Sequence, residues 1–238
     1  MTKYFSFFSL LMISYLGFGQ DSLVYDEPFL LGKKEATISL KTGLLPQAET
    51  AFLEMQSAAK KDSLQLKIAS SFRSYAAQKR IWNRKYRRYL EAGLTPEKAL
   101  KKIIEYSTLP GTSRHHWGTE IDIINAEPVL EGDVLLEKHF HSGGAYEKLR
   151  LWLTKNAATY GYELVYTKDS LRKGFFYEPW HYSFAPLSEK FLSSYLEKHL
   201  IEKVAKDSTL LGSKYLSKTF LNNYLNENIK GVSHRVRQ

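Results

Sequence analysis

Cysteine is absent from the 238 residues. That excludes disulfides and a lipid anchor on an N-terminal cysteine, and it leaves only His, Asp and Glu to build a metal site. The helical zinc segment H-E-x-x-H is also missing, so ligands would have to come from separated elements. Long apolar runs are scarce. The most apolar stretch, residues 4–18, is about fifteen residues, short of the roughly 20 that a membrane span needs. Lys3 precedes it, and Gly17 and Gly19 sit at −3 and −1 of a cleavage point before Gln20. Residues 1–19 therefore read as a secretory signal peptide. Acidic residues are outnumbered, 25 against 34 Lys and Arg, for a formal charge of +9. In an exported protein, that balance favours contact with an anionic cell envelope over nucleic acid, for which no motif is present.

What is present suffices for one packed domain. The chain is 43% hydrophobic and 14% aromatic, and there is no repeat or low-complexity segment to divide it. Residues 20–187 read as the domain and residues 188–238 as a helical extension. A β-compatible run at 36–40 precedes a helix over 45–62, where Ala48, Phe52, Met55 and Ala59 share a face. Leu64, Leu66 and Ile68 alternate as in a half-buried strand. Residues 74–93 predict a basic amphipathic helix with Ala77, Ile81 and Tyr89 inward. Thr95 and Pro96 open another helix. A strand is expected over 119–124, a helix over 143–161, and closing strands over 162–166 and 175–184. A helix from Pro186 with Phe191, Leu192, Tyr195 and Leu196 inward, and a last helix over 214–231, complete the pattern. The strands do not alternate regularly with helices. The expected class is α+β: a small, mainly antiparallel sheet with helices packed on one side, plus C-terminal helices.

Three stretches carry chemistry. The first, "PGTSRHHWGTEID", places His115 in a Pro-Gly loop and Asp122 on a strand between Ile121 and Ile123. Alternation sends the isoleucines one way and the acid the other. A carboxylate so placed needs a partner for its charge, and a cation shared with His115 would be one. In the second, "EPWH", Pro179 interrupts strand pairing, and a bend there could bring Glu178 and His181 to one side. The third, "SSFRSYAAQ", puts Arg73 at a strand-to-helix junction, where its side chain can project over a site.

In order and spacing these stretches resemble the VanY-like D-alanyl-D-alanine carboxypeptidases, zinc peptidases of the M15 family. Ser113, His115, Gly118 and Asp122 match that family's first block, and Glu178 and His181 its second. The resemblance spans about residues 44–184. It implies one Zn2+ ion held by His115, Asp122 and His181, with Glu178 as general base and acid and Arg73 facing the scissile carbonyl oxygen. Ser113 and Gln78 would help place the substrate, a peptidoglycan stem peptide. The implied fold is the small α+β domain shared with the Hedgehog signalling domain; the signal-peptide pattern places the protein in the periplasm or cell envelope, and a monomer is expected. Glu120 departs from the pattern, which commonly has a small residue there. It could be exposed on the strand, or it could crowd the metal or add charge beside it. The resemblance reserves no ligand role for His116, His139, His141, His199 or His234.

Overall fold

The computed structural model describes residues 25–34 and 37–237. The expected signal peptide lies outside the described residues, and the part of the run at 36–40 that is described is not a strand. Among the described residues no helix is long and apolar enough to cross a membrane.

A short helix α1 (Glu27–Leu30) leads to α2 (Pro46–Lys61). Proline suits the first turn of α2, where its missing N–H costs no helical hydrogen bond, and the lysines in the last turn suit the negative end of the dipole. Its Ala48, Phe52, Met55 and Ala59 are buried as the spacing predicts. Strand β1 (Leu66–Ser70) is followed by α3 (Tyr75–Glu91) and α4 (Pro96–Ile103), capped by the side chains of Ser74 and Thr95. Then come β2 (Glu120–Asn125), α5 (Glu147–Asn156), β3 (Tyr162–Leu164) and β4 (His181–Phe184). The chain ends with α6 (Ala185–Glu197), α7 (Ile201–Val204) and α8 (Lys218–Tyr224). The four strands form one sheet in the order β1-β2-β4-β3, every neighbouring pair antiparallel. This is the α+β class expected.

Four local expectations need correction. The buried face of α3 is Tyr75, Gln78, Trp82 and Tyr86, while Ala77, Ile81 and Tyr89 flank it, half-buried. Ile81 and Tyr89 border a cleft instead. Strand β4 starts at His181 rather than near 175, because Glu178–His181 forms a turn closed by the His181 amide on the Glu178 carbonyl (3.1 Å) and Pro179 has no N–H to pair. Helix α5 starts at Glu147, after a turn through Gly143 at φ 80°. The last helix is cut short: Ser217 caps α8 at its start, and a π turn over Leu225–Ile229 follows it.

Residues beyond 187 share the core of the residues before them. Phe191, Tyr195, Leu200, Val204, Leu210 and Tyr224 are buried in it. The indole N–H of Trp82 donates to the Leu211 carbonyl (3.0 Å), and Tyr224 Oη accepts from the Leu109 amide (3.0 Å). Asp207 clasps this segment to α3: its carboxylate accepts from Tyr75 Oη, Lys79 Nζ and the Thr209 amide. These bonds hold its pKa below the usual carboxylate range even though partial burial opposes ionisation. Hydrogen bonds to a charged group contribute about 1.5–3 kcal/mol. Asp207→Ala is therefore expected to lower unfolding free energy by about 2 kcal/mol in urea titrations at pH 7. Because the folded-state pKa is depressed, this contribution is complete above the unfolded value and disappears as pH falls through the folded one. The gap between wild type and variant should close in acid.

Candidate metal centre

The sheet register builds the site. Asp122 on β2 lies directly opposite His181 on β4, and Glu120 lies opposite Ser183. Residues two apart on a strand share a face, so these four side chains point the same way. Ile121 and Ile123, fully buried, point into the core on the other face. A bulge between Ile68 and Ser70 shifts the register of β1 and sets Ser70 against Asp122. His115 arrives from a 3-10 turn, Arg114–Trp117, that ends at Gly118 with φ 65°. A Cβ at Gly118 would press on Ile38 and Leu45, and the left-handed backbone there favours glycine.

His115, Asp122 and His181 are buried, and one donor atom from each lies within 4.8 Å of the others. The remaining hydrogen bonds fix which nitrogen is free. His115 Nδ1 bonds the Ser71 carbonyl (2.8 Å), so Nε2 faces Asp122 Oδ2 at 3.6 Å. His181 Nε2 meets Glu120 Oε2 at 3.0 Å, so Nδ1 faces both Asp122 Oδ1 and Glu178 Oε2 at 3.3 Å. Asp122 Oδ1 is buried with no hydrogen-bond partner among the described residues. A buried carboxylate between two imidazole nitrogens, with one oxygen unpartnered, is a donor set for a divalent cation, and two His with one carboxylate suit zinc with a coordination position left open.

The electrostatics agree. Burial drives His115 down to about 3, so its ring is neutral as a ligand must be. Burial opposes charge on His181 as well, but the carboxylates of Asp122, Glu120 and Glu178 around it outweigh burial and raise its pKa well above the usual value, so a bound ion would take the place of the proton on Nδ1. Burial also raises the pKa of Glu178. Three acids around one imidazole create a demand for positive charge that a cation satisfies.

Arg73 is fixed from behind. Its guanidinium donates to Gln78 Oε1 (2.9 Å) and Ser70 Oγ (3.0 Å), and its backbone N–H donates to the His115 carbonyl (3.0 Å). Gln78 is fully buried, its amide donates to the Thr108 carbonyl (2.8 Å), and its Oε1 braces Arg73. Ser113 does line the cleft, a cavity of about 560 Å³ that also holds Arg73, His115, Asp122, Glu178 and His181. A larger groove of about 910 Å³, between β3 and the C-terminal segment, contains none of these residues.

His116 is structural: one ring nitrogen bonds the Arg73 carbonyl, and the other accepts from the Gly111 amide (3.0 Å). His141 pairs with Tyr177 Oη (3.1 Å) at the cleft margin, and His199 and His234 are exposed. Glu120 is not exposed. It is fully buried behind His181, so of the two readings open for it, the one that places charge beside the site holds. Sequence reasoning missed Lys85 and Tyr166. Lys85 lines the cleft from α3 with no hydrogen-bond or ion-pair partner among the described residues. Tyr166 packs edge-on against the His181 ring, with centroids 4.9 Å apart. The signal for Lys85 was its spacing, four residues after Ile81 and four before Tyr89, the half-buried flank of α3.

A four-stranded α+β domain with three convergent ligands, a free carboxylate beside them and an arginine across the cleft has the form of a single-metal hydrolase. Residues 41–187 match the family model described as VanY, D-alanyl-D-alanine carboxypeptidase, and the chain belongs to that family. It is 30% identical over 128 residues to a D-alanyl-D-alanine carboxypeptidase of Enterococcus faecalis, a match covering 53% of this chain and 42% of that protein. It is 31% identical over 110 residues to an uncharacterized protein of Haemophilus influenzae, covering 45% of this chain and 83% of the other. The chain thus spans under half of the Enterococcus relative. A solved structure of a vancomycin-resistance D,D-pentapeptidase VanY in complex with Zn(II) superposes with a TM-score of 0.49 at 22% identity, covering 73% of this chain and 84% of that one.

Proposed function

We propose that this chain is a zinc-dependent D-alanyl-D-alanine carboxypeptidase that removes the terminal D-alanine from peptidoglycan stem peptides outside the cytoplasm. The observation that carries the reading is the convergence of His115 Nε2, Asp122 and His181 Nδ1 on one point, with Glu178 beside it.

His115, Asp122 and His181 would hold one zinc ion. When bound, zinc supplies a positive charge that polarises the scissile carbonyl and makes water acidic enough to attack near neutral pH. The protein's own groups do the rest. Glu178 accepts the proton of the attacking water and returns it to the departing amine. Arg73, held by Gln78 and Ser70, stabilises the carbonyl oxygen as it becomes negative, an interaction stronger in the transition state than before it. Burial of the ligands keeps bulk water from competing. The unpaired charge of Lys85, with Arg88 nearby in the same cleft, suits a substrate that ends in a free carboxylate and so favours release of a terminal residue over cleavage inside a cross-link.

The test is to incubate purified protein with a stem pentapeptide, with free D-alanyl-D-alanine and with cross-linked muropeptides. Free D-alanine from the pentapeptide supports the proposal. Activity confined to the dipeptide reassigns the protein as a D,D-dipeptidase, and activity confined to cross-linked material as an endopeptidase. Removing Arg73 as Arg73→Ala should lower kcat by about 10²–10³ while zinc content, read by atomic absorption, stays at one per chain.

A further inference from the structure

The resemblance to the family accounts for His181 as a ligand but not for what stands behind it. Where a small residue is common, this chain has Glu120, fully buried, and the surrounding residues are arranged around its carboxylate. Oε2 meets His181 Nε2 at 3.0 Å. Oε1 accepts from Ser183 Oγ at 2.6 Å and from Thr119 Oγ1 at 3.2 Å, and lies 3.2 Å from Arg114 Nη2. Ser183 is fixed in turn by Ser188 Oγ (2.6 Å) and by Arg114 Nη2, which donates to it at 2.8 Å. The guanidinium of Arg114 lies over the Trp117 ring, 5.0 Å from its centroid. Arg114 and Glu120 are both almost wholly sealed from solvent, with side-chain exposures of 5% and 0%.

A carboxylate in this place would ordinarily be costly. It adds a negative charge to a buried site that already contains Asp122 and Glu178. Arg114 offsets that charge at one oxygen, which leaves the other free to act as a hydrogen-bond acceptor for the imidazole. Carboxylates face both ring nitrogens, but an ion held with Asp122 would displace a proton from Nδ1, whereas Glu120 keeps one on Nε2; the tautomer with Nε2–H is the one that leaves the Nδ1 lone pair for the ion. Ligating histidines are oriented in this way by a group beyond the metal, and losing that group typically weakens metal binding by about 10–100-fold.

We propose that Glu120, pinned by Ser183 and charge-balanced by Arg114, is a positioning residue that locks His181 in the tautomer presenting Nδ1 to the metal. The proposal rests on His181 being a ligand, as argued above, and deepens that reading.

Two measurements test it. The first is on the zinc-loaded wild type: nitrogen-15 NMR of the histidine rings, with one zinc per chain established by atomic absorption. The expected spectrum places a slowly exchanging proton on His181 Nε2 and a metal-bound Nδ1. The reverse assignment overturns the inference whatever any variant does. The second is zinc affinity by chelator competition for Glu120→Leu, which removes the acceptor, and for the double variant Glu120→Leu/Arg114→Leu, which leaves no unbalanced charge. Both should bind zinc about 10–100-fold more weakly than wild type, with a shifted visible spectrum in the cobalt-substituted proteins. Affinity within twofold of wild type in either folded variant, or a loss in the single variant that the double one restores, overturns it and leaves only a structural ion pair. A wild type that binds no stoichiometric zinc at all contradicts the proposed function, an outcome distinct from failure of this inference.

Discussion

Glu178→Gln is expected to leave one zinc per chain and a folded protein, and to lower kcat by about 10²–10⁴, the range for a missing general base. The carboxylate is 3.3 Å from His181 Nδ1, at the side of the ligand cluster and not within it, so its amide isostere disturbs neither packing nor the three donors. The substitution removes a carboxylate beside the ligands that can take a proton and return it. Because proton transfer belongs to the transition state, kcat and kcat/KM should fall together while KM stays nearly constant. The measurement is D-alanine release from a stem pentapeptide under saturating zinc, with metal content determined on the same samples. Retained turnover would sink the assignment of Glu178. Lost zinc would show that it is a ligand, and the proposed ligand set would need revision.

The second large effect is expected from His181→Ala. Without this imidazole the site keeps two of its three donors, His115 and Asp122, 3.6 Å apart. Stoichiometric zinc should be lost on dialysis, and D-alanine release should fall to background even when zinc is added back at concentrations that saturate the wild type. Zinc should raise the melting temperature of the wild type, since a ligand that binds only the folded state stabilises it, and should leave His181→Ala unmoved. Full zinc occupancy and activity in the variant would end the case for this centre.

The site was legible in sequence to the extent that each residue's role is local. Asp122 could be assigned to a strand face by alternation with Ile121 and Ile123, and the bend at Glu178–His181 followed from Pro179. What sequence could not supply was depth. The spacing that put Glu120 on the same face as Asp122 did not say whether that face was open or sealed, because Arg114, Ser183 and Ser188, which seal it, arrive from three other elements. Helical position likewise shows that Gln78 is near Arg73, but not that it is fully buried against it. The stripe on α3 was centred wrongly because Ile81 and Tyr89 look like core residues although they border a cleft. The segment beyond 187 showed amphipathic helices, but not that Asp207 and Tyr224 tie it to α3 and to the loop before the ligand motif, since those bonds join residues more than a hundred positions apart.

The pairing of β2 with β4 has an evolutionary corollary. Side-chain facing repeats every two residues, so one residue gained or lost within β4 would carry the imidazole at 181 into the core and bring Tyr182 out to the cleft. Apart from β3 and the Glu178–His181 turn, the span between the strands is under no such constraint, since loops and helices can lengthen without altering which face a strand presents. Relatives should therefore vary in length between the two ligand blocks while tolerating no indel inside either strand. Substrate preference can drift through those intervening loops, which supply Asp133, Leu135 and Glu137 to the cleft rim, without the catalytic core having to be reinvented.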